Sequence, residues 1–242
     1  MADDVIKHVA AIGAGRMGRG IAHVFAYAGY RVTLADVKPR RAAEHETLLT
    51  AARAEIEGNL KTLAEFGAFD GALIPAMLAR IHFTADLSEL GDADLIFEGV
   101  TETMEAKEAA FAALKEVVGA AAIIASTTST LPVDKLAAFV DRPERFLNAH
   151  WLNPAYLIPL VEVSPGAATR DDVVDTVRRV LEGIGKVPVV CAPTPGYIIP
   201  RIQAVAMNEA ARMVEEGVAS AADIDKAIRT GFGPRYSTMG LL

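Results

Sequence analysis

A glycine-rich turn near the start of the chain constrains its fold more than any other stretch. Residues 9–18 read VAAIGAGRMG, and the apolar run IAHVFA follows at residues 21–26. This order predicts a short buried strand, a tight turn and the start of a helix. Gly13 permits a turn with positive φ, Gly15 lets the backbone approach a pyrophosphate, and Gly18 lets the helix pack close to the strand. Free N–H groups at a helix N-terminus attract phosphate, so the turn, with Met17 inside it, predicts a dinucleotide site.

An acidic residue at the end of the next strand strengthens this prediction. The run 30–35 ends at Asp36, and an acid about twenty residues beyond such glycines can bind both ribose hydroxyls. A carboxylate there favours NAD over NADP because it would repel a 2′-phosphate, although Lys38, Arg40 and Arg41 could partly offset that repulsion. A glycine turn in another α/β protein, and a site for FAD or a nucleotide sugar, remain as alternatives.

Composition narrows the class of protein. The 242 residues are 52% hydrophobic, enough for one large core or two moderate ones. A net charge of -7 argues against nucleic acid as a partner. No apolar segment reaches membrane-spanning length and no signal region precedes the first strand, so we expect no membrane association and a cytoplasmic location. The single cysteine, Cys191, is expected in a buried strand, and the scattered histidines predict no metal site.

The alternation of elements predicts an α/β fold. Apolar strands at 81–83, 95–98, 122–126, 146–150, 160–163 and 187–191 alternate with helical stretches at about 39–66, 103–118, 132–140 and 169–184, the last capped by Thr169. We predict a doubly wound, mostly parallel Rossmann sheet with a late antiparallel addition over residues 1–191. A smaller all-helical domain over residues 192–242 follows, with 192–195 as the joint. Its apolar end at 239–242 suggests a truncated domain that needs a continuation or a partner subunit to cover it.

Two polar features follow the strands that are predicted to bind the cofactor. The loop 126–130 lies at the carboxyl end of a strand, where open α/β sheets bind ligands. His150 closes the sixth strand and Glu162 lies in the seventh. If those strands are neighbours, the carboxylate can accept from one imidazole nitrogen while the other takes a substrate proton. The alternative is a structural histidine in an apolar strand and an edge glutamate.

Six segments together resemble a known family. They are GAGRMGRGIA at 13–22, FEGVTE at 97–102 with Lys107, IASTTSTL at 124–131, HWLNP at 150–154, PLVEV at 159–163 and NEAARMVEEG at 208–217. They resemble the L-3-hydroxyacyl-CoA dehydrogenase family, which includes bacterial 3-hydroxybutyryl-CoA dehydrogenases. The segments 155–159 and 231–236 are similar to the branch that contains lambda-crystallin, the L-gulonate 3-dehydrogenases and carnitine dehydrogenases.

The resemblance implies an NAD-dependent oxidoreductase that interconverts a short-chain 3-hydroxyacyl-CoA and its 3-oxo form. His150 would remove the 3-hydroxyl proton while hydride passes from C3 to the nicotinamide, and Glu162 would orient and polarise His150. Ser129 matches the family serine that lies near the substrate oxygen and the nicotinamide.

Other matches imply binding residues. Glu102, Lys107 and Asn153 correspond to cofactor contacts, while Arg53 and Lys61 are candidate contacts to CoA phosphates. The helical domains of this family usually pair, which implies a homodimer.

Departures from the family pattern, including the segments 155–159 and 231–236, keep two other functions open. Pro200 stands where the family has a substrate-orienting asparagine. The alternatives are a dehydrogenase of a free 3-hydroxy acid or carnitine-like alcohol, and an NAD-binding relative without turnover.

Overall fold

A computed structural model of the chain describes residues 5–242. The strands are β1 (His8–Ile12), β2 (Arg31–Ala35), β3 (Ile81–Thr84), β4 (Leu95–Glu98), β5 (Ile123–Ser126), β6 (Phe146–Trp151), β7 (Leu160–Pro165) and β8 (Val187–Val190). The helices are α1 (Arg16–Tyr27), α2 (Ala42–Glu65), α3 (Ile74–Leu78), α4 (Met104–Lys115), α5 (Val133–Ala137), α6 (Asp171–Gly183), α7 (Ile199–Glu215), α8 (Ala221–Ala227) and α9 (Gly233–Tyr236).

All eight strands form one sheet in the order β3-β2-β1-β4-β5-β6-β7-β8. The first six are parallel to one another, β7 runs antiparallel to β6, and β8 is parallel to β7. The chain order reverses between β1 and β4, which is where doubly wound sheets open a ligand crevice at the carboxyl ends of their strands. The predicted doubly wound sheet with a late antiparallel addition is confirmed.

Helices cover both faces of the sheet. One core cluster packs α1, α2, α3 and α6 against one face, and a second packs α4 and α5 against the other. Every residue of β1 and β4 is buried, because parallel strands between two helical layers meet no solvent on either side. This explains why both strands are apolar except for one terminal residue each, His8 in β1 and Glu98 in β4.

The glycine turn has the conformation that its sequence requires. Gly13 has φ 91°, and a Cβ there would lie 2.6 Å from the carbonyl oxygen of Gly99. A Cβ on Gly18 would lie 2.1 Å from the carbonyl oxygen of Gly13. Both separations are below any real contact, so only glycine lets α1 start this close to the ends of β1 and β4. The predicted roles of Gly13 and Gly18 are confirmed.

Several predicted bounds differ from the structure by a few residues, such as that of β7, predicted to end at Val163 and ending at Pro165, and three local predictions were wrong at the following positions. β6 continues past His150 to Trp151, because Trp151 pairs with Val161 across the antiparallel ladder. Thr169 does not cap α6; its hydroxyl donates to the carbonyl oxygen of Phe146 at 2.6 Å, the N-cap is Arg170 and the helix begins at Asp171. Cys191 lies just after β8 and is only half-buried.

The chain divides into two compact units, one ending at Tyr197 and the other beginning at Ile198. The division falls later than the joint that the sequence indicated at 192–195, because Tyr197 packs within the first unit. The second unit is entirely helical. Its α7 ends before Gly217, which has φ 71°, and Ser220 caps α8 by accepting from the Asp223 N–H. Over residues 5–242, no helix combines the length and apolar character that a membrane span needs.

Candidate active site

Ser129, His150 and Glu162 lie in hydrogen-bond contact at the carboxyl edge of the parallel strands. His150 Nδ1 is 2.7 Å from Glu162 Oε2, and His150 Nε2 is 3.1 Å from Ser129 Oγ. His150 is 4% exposed and Glu162 is fully buried. An ionised carboxylate can only accept, so Nδ1 carries the proton and Nε2 of the neutral ring is left as an acceptor. The three groups thus form a relay that can take a proton at Nε2.

The antiparallel pairing of β6 with β7 brings His150 and Glu162 together. His150 and Glu162 are directly opposed in the register of β6 and β7, so their side chains lie on the same face. The flanking residues Ala149 and Trp151 point to the opposite face and join the larger core. A shift of one residue in register would turn the imidazole into that core, so the apolar neighbours of His150 fix its direction.

Glu102 holds the loop that carries Ser129. Its Oε1 accepts from the Ser129 N–H at 2.8 Å, from the Thr130 N–H at 3.2 Å and from the Thr128 hydroxyl. Burial raises the pKa of the Glu102 carboxyl, but the Thr128 hydrogen bond and the charge of Lys107 outweigh it and hold the pKa below its usual range. Glu102 therefore stays ionised and clamps the loop.

A buried ion pair lies beneath this loop. Lys107 Nζ is 2.9 Å from both carboxylate oxygens of Glu98, and the Ser126 hydroxyl donates to Glu98 Oε2 at 2.5 Å. Lys107 also reaches Glu102 at 3.4 Å, so one ammonium links both carboxylates. Glu98 was not among the site residues predicted from the sequence. A lone acid at the end of the apolar run LIFE, with a lysine nine residues on, was the signal that could have found it.

Two further residues line the same region without having been predicted. Tyr197 stacks on the ring of His150, with 5.1 Å between centroids, and Asn148 Nδ2 donates to the Tyr197 hydroxyl at 3.0 Å. Asn148 precedes His150 by two residues in β6 and so shares its face. Tyr197 comes from a loop far along the chain, and nothing in its local sequence indicates this contact.

A cleft of about 490 Å³ opens beside the glycine turn. Its lining includes Gly13, Gly15, Asp36 and Arg40. A Cβ on Gly15 would meet nothing within 4 Å, so the backbone is open to a phosphate there. Asp36, 4% exposed, accepts from Arg40 Nε at 2.8 Å, and His45 Nδ1 lies 2.9 Å from the same oxygen. The open glycine backbone and the acid at the end of β2 fit a dinucleotide whose ribose carries free hydroxyls.

Four other predicted residues belong neither to the relay nor to the lining of the cleft beside the glycine turn. Met17 is half-buried in the first turn of α1, and Asn153 is exposed in the turn after β6. Arg53 and Lys61 are both exposed on α2, where Arg53 lies 5.8 Å over the Phe83 ring and Lys61 pairs with Glu57 at 2.6 Å.

The doubly wound sheet, the glycine turn and the acid at the end of β2 define the class of this protein, a dinucleotide-binding α/β protein. Family models give the particular group. The 3-hydroxyacyl-CoA dehydrogenase NAD-binding domain matches residues 8–194, and the C-terminal domain of the same family matches residues 196–242. The chain belongs to the 3-hydroxyacyl-CoA dehydrogenase family, and its cofactor is NAD.

Known relatives agree with this assignment. The chain is 38% identical over 220 residues to the probable 3-hydroxybutyryl-CoA dehydrogenase of Deinococcus radiodurans. The aligned region covers 91% of this chain and 76% of that protein. It is 32% identical to 5-formyl-3-hydroxy-2-methylpyridine 4-carboxylate 5-dehydrogenase of Mesorhizobium japonicum, over 98% of this chain and 74% of that one. The crystal structure of M. tuberculosis FadB2 superposes with a TM-score of 0.87 at 34% identity, over 95% of this chain and 79% of that one.

Proposed function

We propose that the protein interconverts a short-chain 3-hydroxyacyl-CoA, such as 3-hydroxybutyryl-CoA, and the 3-oxoacyl-CoA, with NAD as the hydride carrier. The observation that carries this proposal is the relay Ser129–His150–Glu162 at the edge of the sheet that also bears the glycine turn. An alcohol can lose hydride only if its hydroxyl proton also leaves, and His150 Nε2 is an acceptor available for that proton.

In the proposed mechanism, His150 takes the 3-hydroxyl proton at Nε2 as the C3 hydride departs. Bound NAD supplies the hydride acceptor. Glu162 holds the ring through Nδ1 and stabilises the imidazolium that forms, while Ser129 donates toward the substrate oxygen and fixes it near Nε2. In the reverse direction the imidazolium of His150 donates the proton to the 3-oxo oxygen.

We assign the cofactor contacts to two groups of residues. Gly13, Gly15, Met17 and Gly18 would bind the pyrophosphate, and Asp36 would bind the ribose hydroxyls. Glu102, Lys107 and Asn153 would lie toward the nicotinamide half. The location of the glycine turn and of Glu102 at the same edge of the sheet supports this order.

We assign CoA phosphate contacts to Arg53 and Lys61. Both are cationic and exposed on α2, which supports the assignment. A second candidate function is the oxidation of a free 3-hydroxy acid or a carnitine-like alcohol. The 32% identical relative from Mesorhizobium japonicum, whose name describes a pyridine carboxylate substrate without CoA, favours that candidate. The third possibility is a relative that binds NAD without turnover.

A substrate panel tests these alternatives. We expect NADH oxidation with acetoacetyl-CoA at a kcat/KM at least tenfold above that with acetoacetate or 3-dehydrocarnitine. A higher value for either free acid would favour the second candidate. NADH binding, measured by fluorescence, with no turnover on any member of the panel would instead mean that the protein binds the cofactor without oxidoreductase activity.

The preference for NAD over NADP is expected to depend on Asp36. In Asp36→Ser the ribose loses a charged hydrogen-bond acceptor. Arg40, which the Asp36 carboxylate holds at 2.8 Å in the wild type, becomes available to a 2′-phosphate. We expect kcat/KM for NADH to fall about tenfold and the ratio of NADPH to NADH use to rise by about 10- to 100-fold, the range for one charged hydrogen bond. Steady-state kinetics with both cofactors measure this ratio.

Asp70→Ser provides the matched control for Asp36→Ser. Asp70 caps a short turn outside the cleft, and serine can replace it in that role. Its cofactor ratio should equal that of the wild type. An unchanged ratio of NADPH to NADH use in Asp36→Ser would show that Asp36 does not bind the ribose.

We also propose that the first unit, which ends at Tyr197 and not at the predicted residue 191, is the NAD-binding domain, and that the second unit serves dimerisation and substrate binding in a homodimer. The exposed apolar side chains of the second unit, among them Val205, Met207 and Val214 on α7, support a partner surface. A cytoplasmic location stays a prediction from the sequence.

A further inference from the structure

Tyr197 has a backbone conformation that few residues with a side chain adopt. Its φ is 44°, in the left-handed region, and it directly follows Gly196, whose φ is 78°. Bulky residues seldom occupy this region, and where they do the surrounding contacts hold them there. Tyr197 is 6% exposed, so its side chain is held inside the first compact unit.

The Tyr197 hydroxyl joins two elements of the candidate site. It donates to the carbonyl oxygen of Thr128 at 2.9 Å and accepts from Asn148 Nδ2 at 3.0 Å. Thr128 directly precedes Ser129 in the loop, and Asn148 shares the face of β6 with His150. The hydroxyl therefore fixes the spacing between the strand that carries the imidazole and the loop that carries the serine.

The Tyr197 ring contacts the imidazole itself. The two centroids are 5.1 Å apart with an interplanar angle of 22°, an offset stack that restricts rotation of His150 about its side-chain bonds. Glu162 restrains the same ring through Nδ1 only. Ser129 contacts the other ring nitrogen, Nε2, at 3.1 Å. Hydrogen bonds at these two atoms still permit the ring to rotate about the line that joins them, and the stack removes this freedom.

We infer that Tyr197 is a positioning residue for the Ser129–His150–Glu162 relay, its ring fixing the plane of the imidazole and its hydroxyl fixing the serine loop. The inference rests on the proposed function of that relay. A misplacement of about 1 Å between a base and its substrate can cost about 10²-fold in rate, so a positioning role of this kind is measurable in kcat.

Two variants separate the roles of the ring and the hydroxyl. Tyr197→Phe keeps the stack and removes the tether to Thr128, and we expect kcat with acetoacetyl-CoA to fall three- to tenfold. Tyr197→Leu removes both, and we expect a fall of about 30- to 100-fold with KM for NADH unchanged. The solvent deuterium isotope effect on kcat should rise in both variants, because a displaced base makes proton transfer more rate-limiting.

Tyr156 is the matched control. It stacks on His23 at 4.8 Å with an interplanar angle of 13°, and its hydroxyl donates to Asn59, but it touches no member of the relay. Burial and the charge of Lys186 lower the pKa of His23 to about 4, so that ring is neutral at the assay pH. Tyr156→Leu removes an equivalent stack and should leave kcat and the isotope effect at wild-type values.

A second readout does not depend on turnover. The proton between His150 and Glu162 should give a downfield NMR resonance, assigned by its loss in His150→Gln, that persists in Tyr197→Phe and broadens through faster exchange in Tyr197→Leu. If the wild-type protein turned over no member of the substrate panel, the proposed function would be contradicted. The NMR resonance would then be the measurement that tests the positioning role of Tyr197. Wild-type kcat and an intact resonance in a folded Tyr197→Leu would overturn it. If that variant does not fold, wild-type kcat and isotope effect in Tyr197→Phe would overturn it.

Discussion

Replacing His150 with glutamine is expected to lower kcat for acetoacetyl-CoA reduction by about 10³-fold, within the 10²- to 10⁴-fold range of general acid–base catalysis. Glutamine can still accept a hydrogen bond from Ser129, but it cannot exchange a proton at this pH. Because β6, which carries His150, lies three strands away from β1 and its glycine turn, the dissociation constant for NADH should stay within about twofold of wild type. Stopped-flow reduction and fluorescence titration measure the two quantities.

Glu162→Gln extends this prediction to the second member of the relay. The amide keeps the shape of Glu162, and its oxygen can still accept from Nδ1 across the 2.7 Å contact, but the charge that stabilises the imidazolium is lost. We expect a smaller reduction in kcat than for His150→Gln, about 10- to 100-fold, the size of a lost charged hydrogen bond.

The matched control for both variants is another histidine–glutamate pair. His82 Nε2 contacts Glu89 on the exposed surface near β3, outside the candidate site. His82→Gln should keep wild-type kcat. The assignment of His150 as the base would be wrong if His150→Gln retained more than a tenth of wild-type kcat.

The largest expected effect on stability comes from Lys107→Met. Glu98 and Lys107 are both fully buried, and the variant would leave the Glu98 carboxylate with the Ser126 hydroxyl and the Val100 N–H as partners but no counter-charge. Breaking a buried pair from one side costs about 3–5 kcal/mol, a large share of the free energy of unfolding of an ordinary domain. Urea unfolding followed by circular dichroism measures this loss.

The double variant Glu98→Gln/Lys107→Met distinguishes an unpaired charge from a loss of packing. Removing both charges should recover most of the lost free energy of unfolding, since a neutral pair of similar volume leaves no unpaired charge in the core. Lys115→Met on the same helix is the control. Its ion pair with Asp141 at 2.6 Å is exposed to water, and we expect a change within the error of the measurement. Equal losses in Lys107→Met and the double variant would contradict this account.

Local patterns determined how much of the fold could be predicted. The bounds 95–98 for β4 were predicted correctly, because three apolar residues and Glu98 come directly before Gly99. The end of β6 and the start of α6 were wrong, because Trp151 and Thr169 have partners, Val161 and Phe146, that are distant in the chain. An element boundary set by such a partner leaves no periodic signal in its own sequence.

The sequence by itself determined the sheet class, the glycine turn at Gly13, the acid at Asp36 and the helical character of the second unit, since each depends on residue type and short-range spacing. Only the tertiary structure decided which side chains meet. The register of β6 against β7 sets His150 opposite Glu162, the link from Lys107 to Glu98 crosses from α4 to β4, and Tyr197 reaches His150 from 47 positions further along the chain. Such contacts depend on how separate elements pack, and packing follows from the burial of whole faces rather than from any local run of residues.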